Sequence, residues 1–581
     1  MKIEGSWYKE LKQSEAVGSF WTRGTKVNVG LALFVVSILT LGYVGGSGYL
    51  GYSDSDGSTA WTSTDQTFIT TSNGNRYNAT SAGLQSALAV GGYIQCPEMN
   101  VTVTSALQVH SGTTLKGMGN RTILYLAASA ADNYDIMNIT TGSNNILIER
   151  IKFDMNEPGV SGSYVCGIYL KTYTKNVTVR DCYFTRIEWY GIDQASSSTV
   201  SNLTVEGCYF DRAKQSGYGG AIAFRGKDNI ARNNRIYNLY ATGIVMEGGF
   251  FTLRNIIDGN IITGPVSVGI YSEATGKSSG SIIVNNIVSN INNTAYSGSP
   301  DGIGILATNN CTVSNNFVNN AARGGIKIDG DNATVSANVI NEIGYGYTGG
   351  FGINGGSNSI ITGNKIRNQL TGTASRPTYG ITFGDMCVIT NNHLYAGGVA
   401  NFDIGLYNAG GGNCTISNNY IEGATTGLRL DGRYAIISSN VFYDAAASNN
   451  AAIFINSGKY STISCNSLQS VDRGIRLYKS TNCTVTGNII DANDATYGIY
   501  EDTAPCDFNT ITFNNMLLSN TPATSITILT ASGNSSSLFN RGCYKTMWTH
   551  LMANPVAGAQ YVNATTGDIC TYTGAAWVWN P

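Results

Sequence analysis

The sequence predicts an all-β fold built as a parallel β-helix, and three observations carry that prediction. The first is a recurrent string seen in TVSNNFV, TVSANVI, IITGNKI, TISNNYI, IISSNVF and TVTGNII. It aligns Asn234, Asn260, Asn286, Asn316, Asn338, Asn364, Asn392, Asn419, Asn440, Asn466, Asn488 and Asn514 on one frame position, and the frame runs back to Cys208, Cys182 and Ile151 in steps of 21 to 31 residues. A period of that length marks units that stack into a solenoid. The second observation is short apolar strands separated by small polar turns, without a sustained helical period. The third is composition: 70 Gly, 34 Tyr and 9 Pro, with 12% charged residues, about half the usual share. The net charge of −2 and the lack of a basic run exclude a nucleic-acid face.

The elements follow in order. Residues 1–26 carry Lys2, Lys9, Lys12, Arg23 and Lys26 and read as a basic cytoplasmic segment. The uncharged run Val27 to Val44 is long enough to span a bilayer, and the positive flank orients everything after it outward, as an uncleaved signal anchor. Arg23-Gly24-Thr25 also looks like a prepilin-type processing site. Residues 45–77 read as a flexible Gly/Ser/Thr/Asp stalk. Leu84, Ala87 and Leu88 then form the stripe of a short helix begun by Thr80 or Ser81, suited to cover the open end of a solenoid over 78–520. Inside that solenoid the Asn column is structural, since coils about 4.8 Å apart let identical amides bond along the axis.

The capping helix, GGYIQCP and TLKGMGNRTIL resemble the opening of the pectate-lyase-like right-handed β-helix superfamily, and with the coils the resemblance covers roughly residues 78 to 520. It implies a right-handed solenoid and a setting in polysaccharide chemistry, surface proteins or viral tailspikes. It supplies no activity. The polygalacturonase-like Gly-His-Gly and the epimerase Asp-Pro-His are absent, because His110, His393 and His550 stand in other contexts, and YGID at Tyr190 to Asp193 continues without a His. Residues 521–581 include GAQYVNATTGDICTYTGAAWVW, similar to a small β-meander at the tips of some viral and phage fibres, which Cys543 and Cys570 would staple.

Two constellations carry chemistry. The residue after each Gly-Ile faces outward, and on consecutive coils it is Tyr407, Arg429, Phe454, Arg476 and Tyr500. Such a stripe is expected to lie exposed and to contact sugar rings, or else to stabilise itself through cation–π contacts. Two residues further along, Arg225, Glu247 and Glu273 occupy adjacent coils, so like charges would raise one carboxyl toward the range of a general acid. No resident cofactor is expected, and calcium is the one ion these carboxylates would suit.

Cysteine and Asn-x-Ser/Thr patterns complete the reading. Cys387 and Cys414 share a frame position on neighbouring coils, within disulfide reach or simply packed. Sequons occur at Asn78, Asn100, Asn120, Asn138, Asn176, Asn202, Asn292, Asn310, Asn332, Asn413, Asn482, Asn534 and Asn563, though a turn Asn before a Thr-Val strand makes one automatically. The expected protein is therefore a membrane-anchored, extracellular or virion-surface β-helix, an adhesin or structural protein contacting glycans, with a homo-oligomer compatible. A polysaccharide lyase or glycoside hydrolase, and a self-assembling envelope or filament subunit, are the alternatives.

Overall fold

The computed structural model describes residues 67–127, 135–156, 165–195, 199–213, 219–239, 242–247, 252–264, 267–273, 279–291, 302–344, 350–368, 379–396, 402–444, 451–471, 473–492, 497–502, 506–518, 528–529, 535–538, 560–562, 569–572 and 577–580. The basic segment and the Val27 to Val44 run lie outside them. Among the described residues no helix is long and apolar enough to cross a membrane.

Each coil contributes strands to two walls. A back sheet of 35 strands takes two strands from most coils, and a front sheet takes one per coil, with successive coils stacked in parallel register. Aliphatic and aromatic side chains fill the space between, including the stacked series Phe153, Phe184 and Phe210 with centroids 4.9 and 4.8 Å apart. The front strands carry Gly where they close on the back sheet. A Cβ on Gly191 would stand 2.6 Å from the Phe210 ring, and one on Gly427 2.4 Å from Phe442.

The Asn column faces inward, and all twelve residues from Asn234 to Asn514 are buried. Each amide is fully used. Asn338 Nδ2 donates to Asn364 Oδ1 at 2.9 Å and to the Val313 carbonyl at 2.9 Å, while its own Oδ1 accepts from the Asn316 backbone N–H and Nδ2, both at 3.0 Å. The residue before each ladder Asn turns the corner with positive φ, 55° at Asn315 and 66° at Gly363, which explains the Gly and Asn enrichment there.

The ends differ from the sequence reading. Residues 67–77, expected as stalk, form antiparallel strands Phe68–Thr71 and Arg76–Asn78, because Ile69 packs into the same core as Leu84 and Leu88 of the helix Ser81–Val90. Thr80 caps that helix, accepting from Gly83 N at 3.1 Å. At the far end Ser536–Leu538 pairs with Thr510–Thr512, so the stacking passes residue 520. Gln560–Val562, Ile569–Tyr572 and Trp577–Asn580 form a three-stranded antiparallel sheet.

Replacing Asn338 by Ala strands two donors on Asn316, each costing about 1–3 kcal/mol when buried. Hydrogen exchange should show the coils around Asn316 and Asn338 opening first. Unchanged protection there would remove the ladder from the account of stability.

Candidate functional site

The outer face of the front sheet brings the candidate residues together. Strands Tyr190–Gln194, Gly220–Phe224 and Thr242–Met246 lie side by side, so Asp193, Ala223 and Val245 share a column. Arg225 and Glu247 follow their strands on adjacent coils, and Glu273 stands one coil beyond. Arg225 bridges two carboxylates: its Nε lies 3.2 Å from Asp193 Oδ1 and 3.0 Å from Glu247 Oε2, and its Nη2 donates to Glu247 Oε1 at 3.0 Å. Tyr190 donates to the same oxygen at 3.4 Å, across Gly220, where a Cβ would crowd the ring at 3.0 Å.

Asp193 is the residue the sequence reading passed over. It is 3% exposed, beside a small apolar cluster of Cys166, Tyr190, Ala223 and Val245 that forms outside the main core. Burial pushes its carboxyl up to about 7, with Arg225 opposing and Glu247 adding to the rise. Its Oδ1 accepts no hydrogen bond from any described residue, the Arg225 contact being an ion pair without that geometry. Burial likewise raises Asp135 to about 6, against the Cys166 N–H, which donates to Oδ1 at 2.9 Å, and the charge of Lys171. Glu247 is raised by burial, opposed by Arg225 and reinforced by Glu273. A concavity of about 310 Å³ opens among Asp135, Cys166, Tyr169, Trp189, Asp193 and Arg225.

The aromatic and arginine stripe lies in one column, as its register requires. Tyr407, Arg429, Phe454 and Arg476 are half-buried, and only Tyr500 departs outright from the expected exposure. Tyr500 is buried at 5%, because the Arg473 and Arg476 guanidinium groups each lie 5.7 Å from its ring centroid. Arg429 sits between Tyr407 and Phe454 at 5.5 and 5.6 Å, and Arg476 lies 4.7 Å from Phe454, so the ring faces are spent inside the ladder. Arg429 also forks onto Asp431 at 3.0 and 2.9 Å, and Arg476 pairs with Asp502.

Other sequence candidates fall elsewhere. Cys387 and Cys414 are stacked on neighbouring coils as free buried thiols, donating to the Gly356 and Gly384 carbonyls at 3.1 and 3.4 Å. Cys543 lies outside the described residues, and Cys570 is placed only as backbone within its strand. Asn176 and Asn202, near the starts of their strands, and Asn310, Asn332, Asn413 and Asn482 are exposed residues with φ between 53° and 61°, a backbone reason for Asn at each. Asn78, Asn100 and Asn120 are exposed and Asn138 is half-buried, while Asn292, Asn534 and Asn563 lie outside the described residues. A shallower concavity of about 610 Å³ on the back sheet is lined by His393, Tyr420 and Glu422, where Tyr420 already donates to Glu422 at 2.9 Å. Among the described residues no group of three or more His, Cys, Asp or Glu is placed to hold a metal ion.

The architecture defines a right-handed parallel β-helix protein. The family model for the right-handed β-helix region matches residues 98–227, 201–288 and 379–541, more than half of the chain, and the chain belongs to that family. No curated protein matches it significantly. Among solved structures it is similar to the Azotobacter vinelandii mannuronan C-5 epimerase AlgE6 A-module, 15% identical over 80% of this chain and 96% of that one, with a TM-score of 0.28. The tailspike of Escherichia coli bacteriophage HK620, in complex with a pentasaccharide, is 15% identical over 75% and 74%, with a TM-score of 0.43. The pre-mature gene product 12 of bacteriophage phi29 is 11% identical over 75% and 69%, with a TM-score of 0.45.

The stripe makes a prediction about stability. Phe454→Leu keeps apolar volume and removes the ring that both Arg429 and Arg476 face, at about 0.5–1 kcal/mol per contact. Thermal unfolding should detect that loss, and an unchanged transition would reduce Phe454 to packing alone.

Proposed function

We propose that the protein binds and processes glycans, with acid–base cleavage of a glycosidic bond at the concavity beside Asp193. The observation that supports this most is two carboxyls on one concavity with separated titration, Asp193 at about 7 and Asp135 at about 6. Near neutrality the first keeps much of its proton and the second is mostly ionised, the two states that a general acid and a general base require. Asp193 gives its proton to the departing sugar oxygen as the carbon–oxygen bond breaks, and Asp135 takes a proton from the attacking side. Trp189 and Tyr169 offer aromatic surface for a sugar ring. Arg225 positions Asp193 and Glu247.

The same outer face supports binding of an extended chain. Eight coil steps separate Asp193 from Tyr407, roughly 38 Å at about 4.8 Å per step. The adhesin reading rested on an exposed stripe, and with the ring faces occupied the support moves to the concavity. The apolar 27–44 run behind its basic flank supports display on the outer side of a membrane as part of the same proposal.

Asp193→Asn and Asp135→Asn should each lower polysaccharide cleavage by about 100-fold or more. The wild-type rate should peak between pH about 6 and about 7, falling on the acid side as Asp135 gains its proton and on the alkaline side as Asp193 loses its own. Full activity in either folded variant, measured as new reducing ends on a panel of neutral and acidic polysaccharides, would remove these roles.

A further inference from the structure

We infer that the glycan this face takes is uncharged, and that its cleavage is a hydrolysis rather than an elimination on a polyuronate. The inference rests on the glycan-processing reading and adds the substrate class. It starts from where the cations of the two outward columns are committed. Lys327 pairs with Asp329 at 2.6 Å, Arg429 forks onto Asp431, and Arg476 pairs with Asp502. Arg225 is held between Asp193 and Glu247. Glu273 adds a further carboxylate beside Glu247.

Among the described residues of these columns, Arg225, Lys327, Arg429 and Arg476 are each held by a carboxylate. A polyuronate would bring one negative charge per sugar against the carboxylates that already hold these four cations. Elimination also needs the uronate carboxylate neutralised so that the adjacent C–H becomes acidic, and here the Arg225 guanidinium at the concavity is already shared by two carboxylates. An uncharged sugar meets neither obstacle. Its hydroxyls can donate to the part-exposed Asp502 carboxylate and accept from the guanidinium edges. The proton that Asp135 takes then comes from water: the water oxygen bonds to the anomeric carbon, the glycosidic carbon–oxygen bond breaks, and Asp193 protonates the oxygen that leaves.

The test uses the full-length chain and two polymer classes, galactomannan as the uncharged probe and polygalacturonate with alginate as the charged ones, followed by affinity electrophoresis and product analysis. Retardation by galactomannan that is indifferent to ionic strength, with reducing ends and no ultraviolet-absorbing unsaturated ends, is the expected result. Salt-sensitive binding of a polyuronate, or release of unsaturated uronate from it, would overturn the inference while leaving glycan processing intact. Binding to neither class would overturn both. Asp431→Asn with Asp502→Asn frees two guanidinium groups and should raise polygalacturonate retention about tenfold at low ionic strength. Asp329→Asn, which frees Lys327 and touches neither arginine, is the second variant, and no gain in either folded protein would count against the charge argument.

Discussion

Parallel stacking of equivalent coils is the constraint on which the rest of this structure depends. A side chain in such a stack has its own kind above and below, so a buried polar residue survives only if it can donate upward what it accepts from beneath. Asn does this. Asn338 donates to Asn364 and accepts from Asn316 with the same atoms that every neighbour uses. An Asp in that column would face like charges at each step, and a Ser lacks the second donor that Asn338 gives to Val313. The apolar interior can then close around a corner that apolar residues alone could not turn.

The same rule governs the outer face of the front sheet with different chemistry. Arg429 and Arg476 alternate with Tyr407, Phe454 and Tyr500, each guanidinium covering the ring of the next coil and holding a carboxylate on its edge. This series is satisfied along its own axis, like the Asn column inside. Partners in such a ladder are used up in holding one another. That is why the exposure expected from strand alternation was wrong at Tyr500: alternation gives a side chain its direction, and the neighbouring coils decide what covers it.

Legibility in the sequence follows from that distinction. The Asn column was visible because one residue type recurs once per coil, and the capping helix because Thr80 and the Leu84–Leu88 stripe are local signals. Arg225, Glu247 and Glu273 were found together by the same register. Asp193 was not singled out as a site residue, since its meaning depends on burial by Tyr190 of its own strand and by Cys166 and Val245 from two other coils. Asp135 precedes its strand and carries no frame signal; only the fold places it beside Cys166. Residues 67–77 read as stalk because polar turn residues surround the buried apolar anchor, Ile69.

A reactive group in a solenoid must therefore escape the ladder rather than join it. Around Asp193 the column changes to Tyr169 on one side and to Ala223 and Val245 on the other, so the carboxyl has no like neighbour along the axis. What it meets is apolar surface, which lifts its pKa, and a guanidinium shared with Glu247 and aligned too poorly to hydrogen-bond Oδ1. The break in repetition leaves a buried proton-holding group with spare capacity beside a concavity. Where repetition is kept, from Tyr407 to Tyr500, the same face has rigidity and little spare capacity. The proposed chemistry and the stacked ladder thus fall on different stretches of one column, separated by whether successive coils can satisfy each other.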